Sequence, residues 1–152
     1  ETMAPRLARL RYVQKVHPSG LNMMASPETV FAFDEAKMTF INGQFIATLL
    51  LVNAFMEHWL GSLISSKGYT KSAQRGLKSI IDCAREQDLV NHFLLDRVDE
   101  LRRIRNPFVH LRSFDDDSRL TRRALSAQVD PCCMIEDDAK KAMSIMYTVA
   151  IR

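Results

Sequence analysis

The stretch Leu101-Arg102-Arg103-Ile104-Arg105-Asn106-Pro107-Phe108-Val109-His110-Leu111-Arg112 decides how this chain is read. Its first part closes an amphipathic helix, because Leu94, Leu95, Val98, Leu101 and Ile104 recur at three- and four-residue steps. Asn106-Pro107 then predicts a break, since proline lacks an N–H and disfavours helical geometry in the residue before it. Pro107 suits the first position of a new helix and Asn106 its N-cap. On that reading Arg105 and His110 occupy the positions flanking a helix start whose side chains meet. A guanidinium and an imidazole would share a helix N-terminus, which favours anions. In an unbroken helix, residues five apart lie on different faces. The candidate pair therefore depends on the break.

Spacing alone carries no weight, because Arg11 to His17 and Arg85 to His92 fit the same loose pattern. Arg105 and His110 differ in their setting: an amphipathic helix before them, Asn directly after the Arg, and proline between. The plainer reading is an Arg105 held by Asp99 or Glu100, with His110 as a packed interface side chain.

At 152 residues, with 47% apolar and 26% charged residues, the chain reads as one globular domain, 1–152. Five glycines and five prolines, with abundant Leu, Ala, Met and Arg, point to an all-α helical bundle of about five to six helices. A net charge of +3 allows an anionic partner without requiring one. Cys83 and the adjacent Cys132-Cys133 make neither an even disulfide framework nor a metal-binding spacing. They fit a reducing, cytoplasmic setting. Glu1 leads us to expect that a native start is missing, and no signal-peptide pattern is visible.

Residues 4–17 read as a basic amphipathic helix, with Leu7, Leu10 and Val13 against Arg6, Arg9 and Lys15, ending at Pro18-Ser19-Gly20. An appendage packed on the domain is expected, in preference to an arm facing nucleic acid. The core bundle spans 27–152. Ser26-Pro27-Glu28 opens its first helix with a cap and a proline, and Val30, Phe31, Phe33, Ala36, Lys37 and Phe40 form its mostly apolar face. Gln44 to Ser65 is the central helix, with Phe45, Ile46, Leu49, Val52, Met56, Leu60 and Leu63 in one stripe. Its length and apolarity approach those of a membrane span. Glu57 and His58 lie inside it and no basic anchors flank it, so a core helix is expected and no membrane. Glu57 sits on the flank of the stripe, where a carboxylate needs a partner. An arginine of a neighbouring helix would serve, and Arg105 would make Glu57 a supporting site residue.

A helix is expected over Ser72 to Gln87, and another capped by Asn91 leads into Arg105. After His110 the second half-helix should fade into the acidic turn Asp115-Asp116-Asp117, followed by a charged connector with Arg119, Arg122 and Arg123. Asp130-Pro131 reads as a turn, and Ile135 to Ile151 as the closing helix. Phosphate-binding glycine loops, the H-E-x-x-H pair and the G-x-S-x-G elbow are all missing from the sequence. The acidic run is read as a solvated loop, so no metal is expected.

The residues Gly43, Gln44, Phe45, Ala47, Ala54, Glu57 and Leu60 lie on one helix. A second helix runs into Arg105-Asn106-Pro107-Phe108-Val109-His110, and a last one carries Glu136-Asp137-Asp138-Ala139. Over roughly Pro27 to Ile151 this resembles the HEPN superfamily (higher eukaryotes and prokaryotes nucleotide-binding), in its small bacterial branches. The resemblance implies a metal-independent endoribonuclease that needs no cofactor and forms a homodimer joining two Arg-x4-His motifs at the two-fold axis. RNA is the implied partner, and an antitoxin or other regulatory protein is a further one the resemblance allows. It implies attack of a 2′-hydroxyl on the adjacent phosphorus. His110 would be general acid or base. Arg105 would stabilise charge on the phosphoryl oxygens. Asn106 would be a supporting residue, by capping or by phosphate contact, and Arg102, Arg103 and Arg112 would contact RNA. One branch has Tyr two positions after the His; Arg112 stands there, so tyrosine modification is not expected. The family also holds inactive members, so the alternative is a non-catalytic dimerisation module binding a nucleotide, RNA or protein.

Overall fold

The computed structural model describes residues 2–17 and 25–151, and the helix stop expected at Pro18-Ser19-Gly20 lies outside them. Among the described residues the chain is all helical, without strands. Its helices are α1 (Met3–Val16), α2 (Pro27–Ile41), α3 (Phe45–Ser66), α4 (Thr70–Ala73), α5 (Leu77–Glu86), α6 (His92–Val109), α7 (Leu120–Ala127) and α8 (Pro131–Ala150).

α3 is long and apolar enough to cross a bilayer. In the fold it is the central post, packed against α2, α4, α5, α6 and α8. Leu49, Val52, Phe55, Met56 and Ile64 on it are wholly buried. Gly61 lets α5 come close, since a Cβ there would stand 3.3 Å from the Ile80 side chain. α8 forms the second layer through Ala139, Ala142, Met143 and Met146, all wholly buried.

Caps set the main boundaries. The Ser26 hydroxyl accepts from the Thr29 N–H and Pro27 takes the first helical position of α2. The same device, missed at Asp130-Pro131, starts α8 four residues earlier than expected: the Asp130 carboxylate accepts from the Cys132 N–H at 2.7 Å. The Asn91 side chain caps α6 by accepting from the Leu94 N–H at 3.3 Å.

Three further boundaries depart from expectation. The helix expected over Ser72 to Gln87 is split into α4 and α5 by Gly76, whose φ of 91° leaves the helical region. The charged connector is helical as α7, because Ala124 buries against the bundle and Arg123 is tied down. The residues after His110 form no half-helix. The bundle thus has two short helices beyond the expected five to six.

The apolar stripes were also read slightly out of phase. Phe31 is 65% exposed and Ile46 47%, while Ala32 and Phe55 face inward in their place. Arg9, placed on the polar face of α1, is buried: its Nε donates to the Ile41 carbonyl at 3.1 Å and its guanidinium lies over the Phe45 ring. α1 is packed on the bundle, where the Tyr12 hydroxyl donates to the Lys140 carbonyl at 2.8 Å.

Two polar groups lie deep in this packing. Arg123 of α7 donates twice to Asp138 of α8, each bond 2.8 Å, and Asp138 is 2% exposed. The Tyr147 hydroxyl is enclosed with no hydrogen-bond partner among the described residues, and burial pushes its pKa well up, with Asp34 adding to the shift. Removing Arg123 strands a buried carboxylate, so Arg123→Ala should lower stability in urea unfolding by about 3 kcal/mol. Tyr147→Phe removes an unsatisfied hydroxyl while keeping the ring packing, so its unfolding midpoint should equal or exceed the parent's.

Candidate functional site

α6 runs through Asn106 and Pro107 and ends at Val109. The expected break, with Asn106 as N-cap, Pro107 as first residue and His110 in the first turn of a new helix, is not formed. Pro107 sits in the last turn, where its missing N–H costs the single bond to the Arg103 carbonyl. The apolar stripe continues across it, because Phe108 packs on the core one turn beyond buried Ile104. The helix then closes normally, the His110 N–H donating to the Asn106 carbonyl at 2.9 Å. With its amide turned to satisfy both partners, Asn106 donates to the Arg102 carbonyl at 3.0 Å and accepts from the Arg102 guanidinium at 3.3 Å. Asn106 therefore braces the end of α6 and caps no new helix.

His110 is exposed and has left the helix, with extended backbone at φ −121° and ψ 132°. It stands at a helix C-terminus, which presents carbonyls in place of the anion-binding N–H groups. The helix-start contact between Arg105 and His110 of one chain is thereby removed.

Arg105 is half-buried on α6 and makes no hydrogen bond or ion pair with the described residues. Of the two carboxylates expected to hold it, Asp99 is already taken, Arg102 Nε bonding it at 2.7 Å and Arg103 at 2.6 Å, and Glu100 makes no ion pair with Arg105. Burial pushes the Arg105 pKa below its ordinary value, the negative charge of Glu57 opposes that, and Arg102 adds to the lowering. Arg105 keeps its charge at neutral pH. Glu57 thus acts on Arg105 through its field, without an ion-pair contact.

The remaining expected residues divide. Arg102 and Arg103 are both engaged with Asp99, the first largely buried and the second 71% exposed, so Arg103 is the one open to a solvent-side anion. Arg112 is half-buried with its Nε enclosed and unpartnered. Its charge acts on Asp116, whose carboxyl is held down first by hydrogen bonds from Ser118. Among the described residues no group of three or more His, Cys, Asp or Glu side chains is arranged to hold a metal ion.

Asn53 lies on α3 one turn before Glu57. It is 3% exposed, and its Nδ2 donates to the Leu49 carbonyl at 2.8 Å and, at 3.5 Å, to the Leu101 carbonyl of α6. Its Oδ1 is buried without a partner. Asn53 and Glu57 therefore face α6 one turn apart, opposite Leu101 and Arg105. After His110 in sequence, Leu111 is fully exposed and Phe114 nearly so, with the Arg119 guanidinium over the Phe114 ring.

No protein-family model, curated protein or solved structure matches this chain.

Burial alone would raise the Asp99 carboxyl, but the hydrogen bonds and charges of Arg102 and Arg103 outweigh it and hold the pKa below the ordinary aspartate value. A depressed folded-state pKa contributes stability above the unfolded value and loses it as pH falls through the folded one. Asp99→Asn should cost about 1 kcal/mol at pH 7. It should also flatten the loss of stability below about pH 4, measured by urea unfolding at a series of pH values.

Proposed function

We propose that this protein is a HEPN-like, metal-independent endoribonuclease whose site is completed by a second copy of the chain. The observation that carries the reading is Arg105: a desolvated guanidinium without a carboxylate partner among the described residues, five positions before an exposed histidine. Taking a guanidinium even partly out of water costs free energy that a paired carboxylate would offset. An arginine kept for phosphoryl oxygens is left unpaired, because the phosphate supplies the charge.

In the proposed reaction the 2′-hydroxyl attacks the adjacent phosphorus, the P–O5′ bond breaks, and the products carry a 2′,3′-cyclic phosphate and a 5′-hydroxyl. Arg105 holds the non-bridging oxygens. His110 of one protomer takes the 2′-hydroxyl proton as base, and its copy gives a proton to the departing 5′-oxygen. A composite site does not require Arg105 and His110 of one chain to touch, which suits the unbroken α6. The exposed Val109, Leu111 and Phe114 around His110 support an apolar contact between copies. The loss of the helix N-terminus from the site favours the second reading, a non-catalytic dimerising module for a nucleotide, RNA or protein partner.

Incubation of the purified chain with mixed RNA in EDTA separates the two. Cleavage is expected to persist, to leave cyclic-phosphate ends, and to vary with pH as a bell. His110→Ala should slow the chemical step by roughly a hundredfold or more with RNA binding nearly unchanged, while Arg105→Ala should weaken both. Arg85→Ala, which removes one of the look-alike matches, should cleave as the parent does. Parent-like cleavage by His110→Ala would sink the catalytic reading. In light scattering at micromolar concentration a dimer is expected, and a monomer would remove the second histidine.

A further inference from the structure

We infer a second ligand site, in the cleft between α1, α6, α7 and α8, that takes a dianionic phosphate group carried on a small organic body. The cleft encloses about 480 Å³, within the range of small-molecule sites. It shares no residue with the Arg105–His110 region, so it stands independently of the proposed catalysis.

Charge accounting singles the cleft out. Arg97, Arg123, Lys140 and Lys141 line it, against the carboxylates Asp137 and Asp138. Both carboxylates are engaged: Asp138 grips Arg123 at 2.8 Å, and Asp137 and Glu136 each stand 3.4 Å from Lys140. Asp96, beside Arg97 in sequence, bonds Arg85 at 2.7 Å. Arg97 of α6 and Lys141 of α8 are left with no carboxylate among the described residues, and Arg97 lies 6.0 Å over the Phe93 ring.

Two unpaired cations on separate helices of one cleft suit a ligand of charge −2. A guanidinium can hold two phosphate oxygens in parallel and an ammonium a third. Ser144 adds a hydroxyl on the α8 wall. The Tyr12 hydroxyl gives its hydrogen to the Lys140 carbonyl, so it cannot also donate to the anion. Its ring, with Val129 and Met134, supplies an apolar wall for a carbon body.

The test is amide NMR on the whole chain, titrated with inorganic phosphate and with phenyl phosphate. Both probes should shift the Lys141 and Ser144 amides, phenyl phosphate at the lower concentration. Equal affinity for the two would assign the site to the free ion. Arg97→Gln and Lys141→Gln should each weaken binding by about tenfold or more, and together abolish it. Lys78→Gln, a change at an ion pair outside the cleft, should bind as the parent does, and so should His110→Ala. Equal affinity contradicts the organic body, and three further outcomes overturn the inference. They are no shift of these amides at roughly 10 mM of either probe, parent-like affinity in the folded double variant, or shifts produced by an RNA oligonucleotide and not by phenyl phosphate.

Discussion

A helix that is apolar on most of its circumference has to be surrounded. α3 meets that condition by packing against five other helices, and the remaining architecture follows from it. The pair α2–α3 folds back at Gly43, whose φ of 76° makes the turn, and α5, α6 and α8 fill the other sides. The polar residues buried on α3 are few, Thr48 and Asn53, and its one carboxylate, Glu57, is half-buried one turn beyond Asn53. Asn53 and Glu57 face α6 at Leu101 and Arg105. Two candidate site residues, Glu57 and Arg105, are close enough for the charge of one to act on the other because α3 and α6 pack together there.

α6 shows how two local rules compete. Proline opposes helix within its last turn, and the loss is one hydrogen bond near an end that would fray in any case. Against it stands the continued burial of Ile104 and packing of Phe108, worth on the order of 1–2 kcal/mol for each partly or fully buried side chain. Burial wins, and the helix runs on to Val109. His110 is consequently displayed by an extended chain, and the arginine that precedes it is set by the helix. Leu111 and Phe114, which follow His110, are exposed.

The helical class, the central helix, the Ser26 and Asn91 caps and the packed N-terminal helix were legible because periodicity and capping chemistry are local. Phases and short helices were less so. Phe31 and Ile46 have the same apolar character as their buried neighbours, and only tertiary packing decides which of them turns inward. α7 reads as a charged connector until Asp138, fifteen residues on, is seen to neutralise Arg123. For the candidate site, the flank position of Glu57 calls for an arginine of a neighbouring helix, and Glu57 acts on Arg105 through its charge but makes no ion pair among the described residues. The course of the chain from Arg105 to His110 was misread, although the signal was present: Phe108 continues the stripe of Leu101 and Ile104 across the proline. The engagement of Asp99 by Arg102 and Arg103 could not be read, since three arginines stand within reach of one carboxylate in sequence.

Arg9 has a consequence for how the N-terminal helix comes apart. The last carbonyls of a helix have no internal donors, and at the end of α2 the Ile41 carbonyl receives the Arg9 Nε. α1 cannot lift away without uncovering that carbonyl, baring the Phe45 ring and withdrawing Tyr12 from α8. Its release is therefore coupled to lost contacts in three other helices, α2, α3 and α8. The stretch of α1 from Arg9 to Val13 is thereby tied to the bundle, and its amides should be better protected from hydrogen exchange than those of the exposed first turns of the helix.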